Sequence, residues 1–246
     1  MELAGNTVLV TGGGAGIGLA LAGRFIGAGS RVIVCGRRED KLQAARDKFP
    51  SLEVRVCDLS VASERRSLFE WIKADFPELN VLVNNAGIQH RINLWEADAG
   101  WDHYHREIQT NLEAPIHLCL LFLPFLAGKR GAAIVNVSSG LAFTPGALAP
   151  IYSATKAGLH SFTMSLRHQA AGKNVGVVEI APPAVNTDLG GAGLHTFGVP
   201  LDEFADAVFE GLRNGDPEIG YGTSKQALRM SRDEIDETFR RMNSRI

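Results

Sequence analysis

Thr7-Val-Leu-Val-Thr11-Gly12-Gly-Gly-Ala-Gly16-Ile-Gly18 is the stretch that decides the fold. A short β-branched run opens into a glycine-rich turn, and residues 19–28 then carry apolar side chains at helical spacing. Strand, glycine turn and helix is the order in which a backbone can close around a pyrophosphate. Missing side chains let the anion approach, and the first helical turn offers unpaired N–H groups and positive partial charge. Gly12, Gly14, Gly16, Ile17 and Gly18 are therefore candidate dinucleotide-binding residues. A glycine turn in some other α/β protein is the alternative. The glycines miss the Gly-x-Gly-x2-Gly spacing, and no Gly-Lys-Ser/Thr follows, which excludes a nucleoside triphosphate loop.

Further along, Arg31-Val-Ile-Val-Cys35 reads as a second strand. Its end is where an Asp or Glu would hold the ribose of NAD, and the residues there are Gly36, Arg37 and Arg38. A guanidinium fork suits a 2'-phosphate, so Arg37 and Arg38 favour NADP(H) over NAD(H). The competing reading is that they merely begin a solvated helix, residues 39–49. Residues 53–57 make a third strand ending at Asp58 and Leu59; Asp58 could accept from an adenine amino group or cap a turn. Ser63 is the expected cap of a helix running to Phe76. Residues 81–83 form a buried fourth strand, and the small residues of Asn84-Asn85-Ala86-Gly87 let a cofactor pass over its end. A long helix over about 101–125 carries Asn111. Residues 132–137 form a fifth strand leading into Ser138-Ser139, a helix follows over 152–171, and a sixth strand over 175–180.

On that last helix Tyr152 and Lys156 stand four apart, one turn above each other on one face. A free phenol, with a pKa of about 10, is a modest acid and a poor base at neutral pH until an ammonium stabilises its anion. Lys156 is placed to do so. Ser139 would donate a hydrogen bond to the same substrate oxygen that the phenol protonates. Together the three describe a site that reduces a carbonyl or oxidises an alcohol.

The whole chain sets limits on function. Its 246 residues are 45% hydrophobic, enough for a substantial core, and a formal charge of -2 gives no electrostatic case for nucleic acid or an anionic membrane. Cys35, Cys57 and Cys119 are far apart in apolar runs and read as reduced core residues, which favours a cytoplasmic setting. No basic-then-apolar leader precedes the glycine loop. The longest apolar run, residues 116–127, is too short to span a bilayer. His90, His103, His105 and His117 show no metal-ligand spacing, so no metal is expected. Ser139 lacks the Gly-x-Ser-x-Gly elbow of a hydrolase.

Four motifs in order over residues 5–190 resemble the short-chain dehydrogenase/reductase family: Thr11-Gly12-x3-Gly16-Ile17-Gly18, Asn84-Asn85-Ala86-Gly87, Ser139 and Tyr152-x3-Lys156. The resemblance implies a Rossmann-type α/β fold, a doubly wound seven-stranded parallel sheet with helices on both faces, as one domain over 1–246. It implies NAD(P)(H) along the C-terminal edge of the sheet, contacted by Asn85, Ala86 and Gly87 among others. Ser139 rather than Ser138 becomes the active serine, since the family interval to the tyrosine is 13. Asn111 matches the asparagine of the proton relay, and Lys156 also the lysine that holds the nicotinamide ribose. Tyr152 is then general acid in reduction and general base in oxidation.

Two departures from the family stand out. Pro182-Pro183-Ala184-Val185-Asn186-Thr187 replaces the usual Pro-Gly turn, with Pro182, Val185 and Thr187 still falling at the nicotinamide contacts. After Glu218-Ile-Gly-Tyr-Gly222 comes an extension, 223–246, whose amphipathic segment 231–242 could cover the pocket, join subunits or stand in solvent. In this family Gly140, Leu141, Ala142, Phe143, Leu148 and a substrate loop over 189–200 would border the pocket. These are mostly apolar, with His195 the exception, and suit a hydrophobic or aromatic carbonyl. A homodimer or homotetramer paired through the two long helices is expected. Rival functions are a 3-oxoacyl carrier reductase, should Lys129, Arg130, Arg167 and Lys173 gather into a patch, and a non-catalytic NADP(H) sensor.

Overall fold

The computed structural model describes residues 1–244; the last two positions of the expected domain and extension lie outside the described residues. Seven parallel strands make one sheet in the order β3-β2-β1-β4-β5-β6-β7. They are β1 (Thr7–Thr11), β2 (Arg31–Gly36), β3 (Glu53–Val56), β4 (Val81–Asn84), β5 (Ala133–Val137), β6 (Gly176–Ala181) and β7 (Glu218–Gly220). Strands covered on both faces read as continuous apolar runs, and the pleat sorts them. Val8, Val10, Val32, Val34, Val81 and Val83 face one layer, and Leu9, Ile33, Cys35 and Leu82 the other.

The first layer contains α1 (Gly16–Gly27), α2 (Glu39–Lys48) and α7 (Leu201–Asn214), packed through Leu21, Phe25, Leu42, Phe204 and Val208. The second contains α3 (Ala62–Asp75), α5 (Ala114–Leu126) and α6 (Pro150–Ala170), packed through Leu68, Ile72, Leu118, Phe122 and Leu166. The Rossmann-type doubly wound sheet expected from the motifs is the fold of this chain. All three cysteines are free and buried in it. No helix among the described residues is long and apolar enough to cross a membrane.

Several element ends differ from the sequence reading by a residue or two. Two differences have clear physical causes. The expected helix 101–125 is broken: α4 (Trp101–Ile108) passes into a π-helical turn, Gln109–Glu113, before α5. Pro115 has no N–H to give the Asn111 carbonyl four residues before it, so a regular ladder cannot pass this point. The residue before α3 is Val61, which has no capping side chain, and Ser63 lies within the helix; instead Glu64 accepts from Asp58 N at 2.6 Å. The segment after β7 forms α8 (Thr223–Ala227) and α9 (Arg232–Met242), the latter opened by a reciprocal capping box between Ser231 and Glu234.

Candidate active site

The sheet reverses its winding between β1 and β4, which leaves a crevice at the strand C-termini. A cavity of about 1420 Å³ occupies this edge. That exceeds the ~300–1,000 Å³ typical of one small-molecule site and accommodates a dinucleotide beside a second ligand.

At its centre the glycine loop is fitted to the loop after β4. Gly12 has φ +65°, and a Cβ there would lie 2.8 Å from Ala86 Cα; at Gly18 it would lie 2.4 Å from Asn85 Nδ2. Thr11 Oγ1 joins the two loops by donating to Val83 O at 3.2 Å and accepting from Asn85 N and Ala86 N at 2.9 and 3.0 Å. Asn85 Nδ2 donates back to Thr11 O at 2.8 Å. Thr11→Val keeps the shape but orphans both N–H groups, so we expect a loss of about 2–4 kcal/mol in chemical denaturation, with Thr11→Ser close to wild type. A Val variant as stable as wild type would contradict this. Helix α1 begins after Ala15 with no side-chain cap, leaving its first N–H groups available to an anion.

Toward one end of the cavity lie exposed Arg37 and Arg38, with no carboxylate partner among the described residues, and Lys41 one turn later. The sequence reading missed Lys41; its signal was the helical interval of four from Arg37. Asp58 Oδ1 accepts from Ser60 N and Oγ at 2.9 and 2.7 Å, so it does close a turn while still bordering the cavity. Thr187 is packed at Gly16, where an added Cβ would meet its Cγ2 at 3.5 Å. Pro182 O accepts from Gly140 N at 2.8 Å, which ties the double-proline turn to the serine loop.

Ser139, Tyr152 and Lys156 border the cavity at the end of β5, all buried. Every other predicted cofactor residue borders it too; only Asn111 lies wholly beneath the surface. Asn111 clamps the β4 loop, accepting from Ile88 N at 2.9 Å and donating to Ile88 O at 2.8 Å. Lys156 Nζ donates to Val137 O at 2.8 Å and lies 5.6 Å from the Tyr152 ring centroid. Burial pushes the Tyr152 phenol up to about 12, against a downward pull from the Ser139 hydroxyl. It pushes the Lys156 ammonium down to about 8, against Glu107 and Glu179.

The two serines divide clearly. Ser138 Oγ is committed to Glu179, which also bonds His160 Nδ1 at 2.8 Å, whereas Ser139 Oγ accepts from Leu141 N at 3.1 Å and keeps its own proton to donate. No well-aligned hydrogen bond joins Ser139 to Tyr152 among the described residues, so both hydroxyls can address a third oxygen.

The apolar end of the cavity includes Leu141, Leu148, Leu189 and Phe197, with Met230 and Met242 from the extension. Phe143, expected at this wall, packs instead against His160, ring centroids 4.5 Å apart. His195 borders the cavity with both ring nitrogens unpartnered among the described residues. The end of α9 roofs this space. Asn243 accepts from Ala147 N at 2.8 Å and donates to Pro145 O at 3.1 Å, bringing Thr238, Arg241 and Met242 to the rim. The end of α9 therefore borders the cavity, while most of the helix is exposed. No metal-binding cluster occurs among the described residues; His90 stacks on His103 at 4.0 Å, and His105 on Trp101.

The family model described as short chain dehydrogenase matches residues 6–194. The chain belongs to the short-chain dehydrogenase family, a family of oxidoreductases. This short-chain dehydrogenase is 43% identical over 249 residues to the uncharacterized oxidoreductase DltE of Bacillus subtilis, covering 99% of each. Two solved structures share its fold. One is a Burkholderia phymatum short-chain dehydrogenase/reductase in complex with NAD, with TM-score 0.86 and 21% identity, covering 97% of this chain and 96% of that one. The other is a Burkholderia cenocepacia short-chain dehydrogenase in complex with NADP, with TM-score 0.84 and 23% identity, covering 97% and 99%. Proteins of this fold thus bind either NAD or NADP.

Proposed function

We propose that this protein is an NADP(H)-dependent carbonyl reductase or alcohol dehydrogenase acting on a hydrophobic or aromatic ketone, aldehyde or secondary alcohol. The observation that carries this reading is the buried Tyr152–Lys156 pair beside a free Ser139 donor, at the apolar end of a cavity whose far end is cationic. The glycine cradle and the uncapped start of α1 fit a pyrophosphate, and Asp58, Leu59, Asn85, Ala86, Gly87, Pro182, Val185 and Thr187 would line its path. When bound, the nicotinamide supplies or accepts the hydride.

The chain's residues do the proton chemistry. Ser139 donates to the carbonyl oxygen and holds it against Tyr152. The phenol, protonated at neutral pH, gives its proton as negative charge develops, and reclaims a proton in the reverse direction. Lys156 stabilises the phenolate, and Asn111 holds the β4 loop against the helix that carries the pair. We take residues 1–246 as one cofactor-binding unit, with 189–200 and the end of α9 enclosing the substrate. Exposed Leu120 and Met164, on α5 and α6, suit the faces through which copies would pair as a dimer or tetramer.

The acyl-carrier alternative loses support. Arg167 is paired with Glu218 at 3.4 Å, so its charge is largely offset, and Lys129 Nζ is tied down on Pro77 O and Leu79 O. Intact Tyr152 and Lys156 count against a sensor without catalysis.

The test is titration with NADPH and NADH by cofactor fluorescence, followed by turnover on aldehydes, aromatic ketones, diketones and acyl thioesters. Preferential NADPH binding with carbonyl turnover is expected; no binding of either would refute the reading. Arg37→Asp should weaken NADPH by about 1.5–3 kcal/mol, roughly 10- to 150-fold, because charge-assisted bonds to the 2'-phosphate turn into repulsion. NADH should change little, and equal weakening of both would remove the phosphate role.

A further inference from the structure

Glu107 lies in the last turn of α4, one turn before Asn111, and its side chain has no solvent exposure. Oε1 accepts from His90 N at a long 3.4 Å. Oε2 lies 3.2 Å from His90 Nδ1 but is poorly aligned for a hydrogen bond and has no other partner among the described residues. A buried carboxyl this poorly satisfied costs stability that an apolar side chain of similar size would spare.

Its neighbours indicate what its charge acts on. The segment after β4 connects it with the reacting lysine: a Cβ on Gly87 would lie 3.6 Å from Lys156 Nζ and 3.5 Å from Asn111 Oδ1, and His90 follows three residues later. The His90 ring, partly exposed, stacks on His103, one helical turn from Glu107 on α4. Helix α4 packs on α6, which carries Lys156 and Tyr152. Charge acts on this cluster from several elements: Glu107 and Lys156 on each other, Glu107 on Tyr152, His103 on α4 and Arg37 at the end of β2 on His90, and Glu179 on β6 on Lys156.

We propose that Glu107 is a positioning residue of this site: its buried carboxylate, backed by His90, keeps Lys156 protonated while Tyr152 exchanges its proton. This rests on the assignment of Tyr152 and Lys156 as the reacting pair. Burial holds the Glu107 carboxyl up to about 7, so its charge is present across the range where Lys156, at about 8, would otherwise lose its proton. Removing that charge lowers both the lysine and the phenol.

The experiment is the pH profile of carbonyl reduction by wild type, E107Q and E107D, alongside Y152F. The alkaline limb of E107Q should move roughly half a unit to one unit toward lower pH, the order expected when one unit charge is removed near a buried ammonium, while E107D keeps the wild-type limb. An unshifted limb, or a uniform loss at every pH, overturns the role of Glu107 while leaving the reacting pair intact. Should E107Q fail to fold, E107L carries the same expectation. Unchanged turnover in Y152F would instead overturn the assignment beneath it.

Discussion

Replacing Tyr152 with phenylalanine is expected to lower carbonyl reduction by about 10³-fold, within the ~10²–10⁴ that positioned acid–base groups contribute. The variant loses one oxygen and no ring packing, so the cavity wall keeps its shape. Burial holds the phenol near 12, so in wild type it carries a full proton at neutral pH and releases it only to an oxygen that is becoming an alkoxide. Phenylalanine has nothing to release, and Ser139 alone can orient the oxygen but not complete the transfer. NADPH affinity should stay within about twofold, since the phosphate end of the cavity is remote from the phenol. Single-turnover kinetics with a parallel binding titration checks both halves. Turnover within tenfold of wild type would refute the general acid.

Lys156→Met should nearly abolish turnover and yet stabilise the protein at neutral pH. The ammonium is buried with one carbonyl partner, Val137 O, and its pKa falls from 10.5 to about 8. The sign follows from linkage. The unfolded chain binds this proton more tightly, so wild type gains stability as pH rises from about 8 to 10.5 and bears the full cost below that window. That cost, already net of the attraction of Glu107 and Glu179, is ~3 kcal/mol, and the lost bond to Val137 O reduces the gain to about 2 kcal/mol. Denaturation at pH 7 should show the methionine variant more stable, with the gap closing toward pH 10.5. A variant less stable at pH 7 would mean that Lys156 holds the fold together rather than burdening it.

Legibility in the sequence followed the range of the interaction. Gly12 to Gly18 announced a phosphate turn because glycine acts on its own backbone, and the apolar runs announced buried parallel strands because each needs cover on both faces. Tyr152 and Lys156 were legible because four residues make one helical turn. Pro115, four after Asn111, carried a readable sign of the π turn that the long-helix expectation passed over.

Other features had no local sign. Thr11 looked like the last residue of a strand, and its hydroxyl acquires three partners only when β4 lies beside β1. Phe143 had the composition of a pocket wall and was drawn away by His160, a residue on another element. The extension past β7 permitted three fates, and only in the fold does Asn243 meet residues 145 and 147 and bring the end of α9 to the cavity rim.

By itself, then, the sequence determined the strand order along the chain, the glycine turn and the one-turn spacing of Tyr152 and Lys156, since spacing along one backbone settles each. Tertiary structure alone decided which polar groups are starved of partners and what covers the pocket. Glu107 is an ordinary helix residue until α4 packs on α6; burial and pKa depend on neighbours far away in sequence, and only the folded chain supplies them.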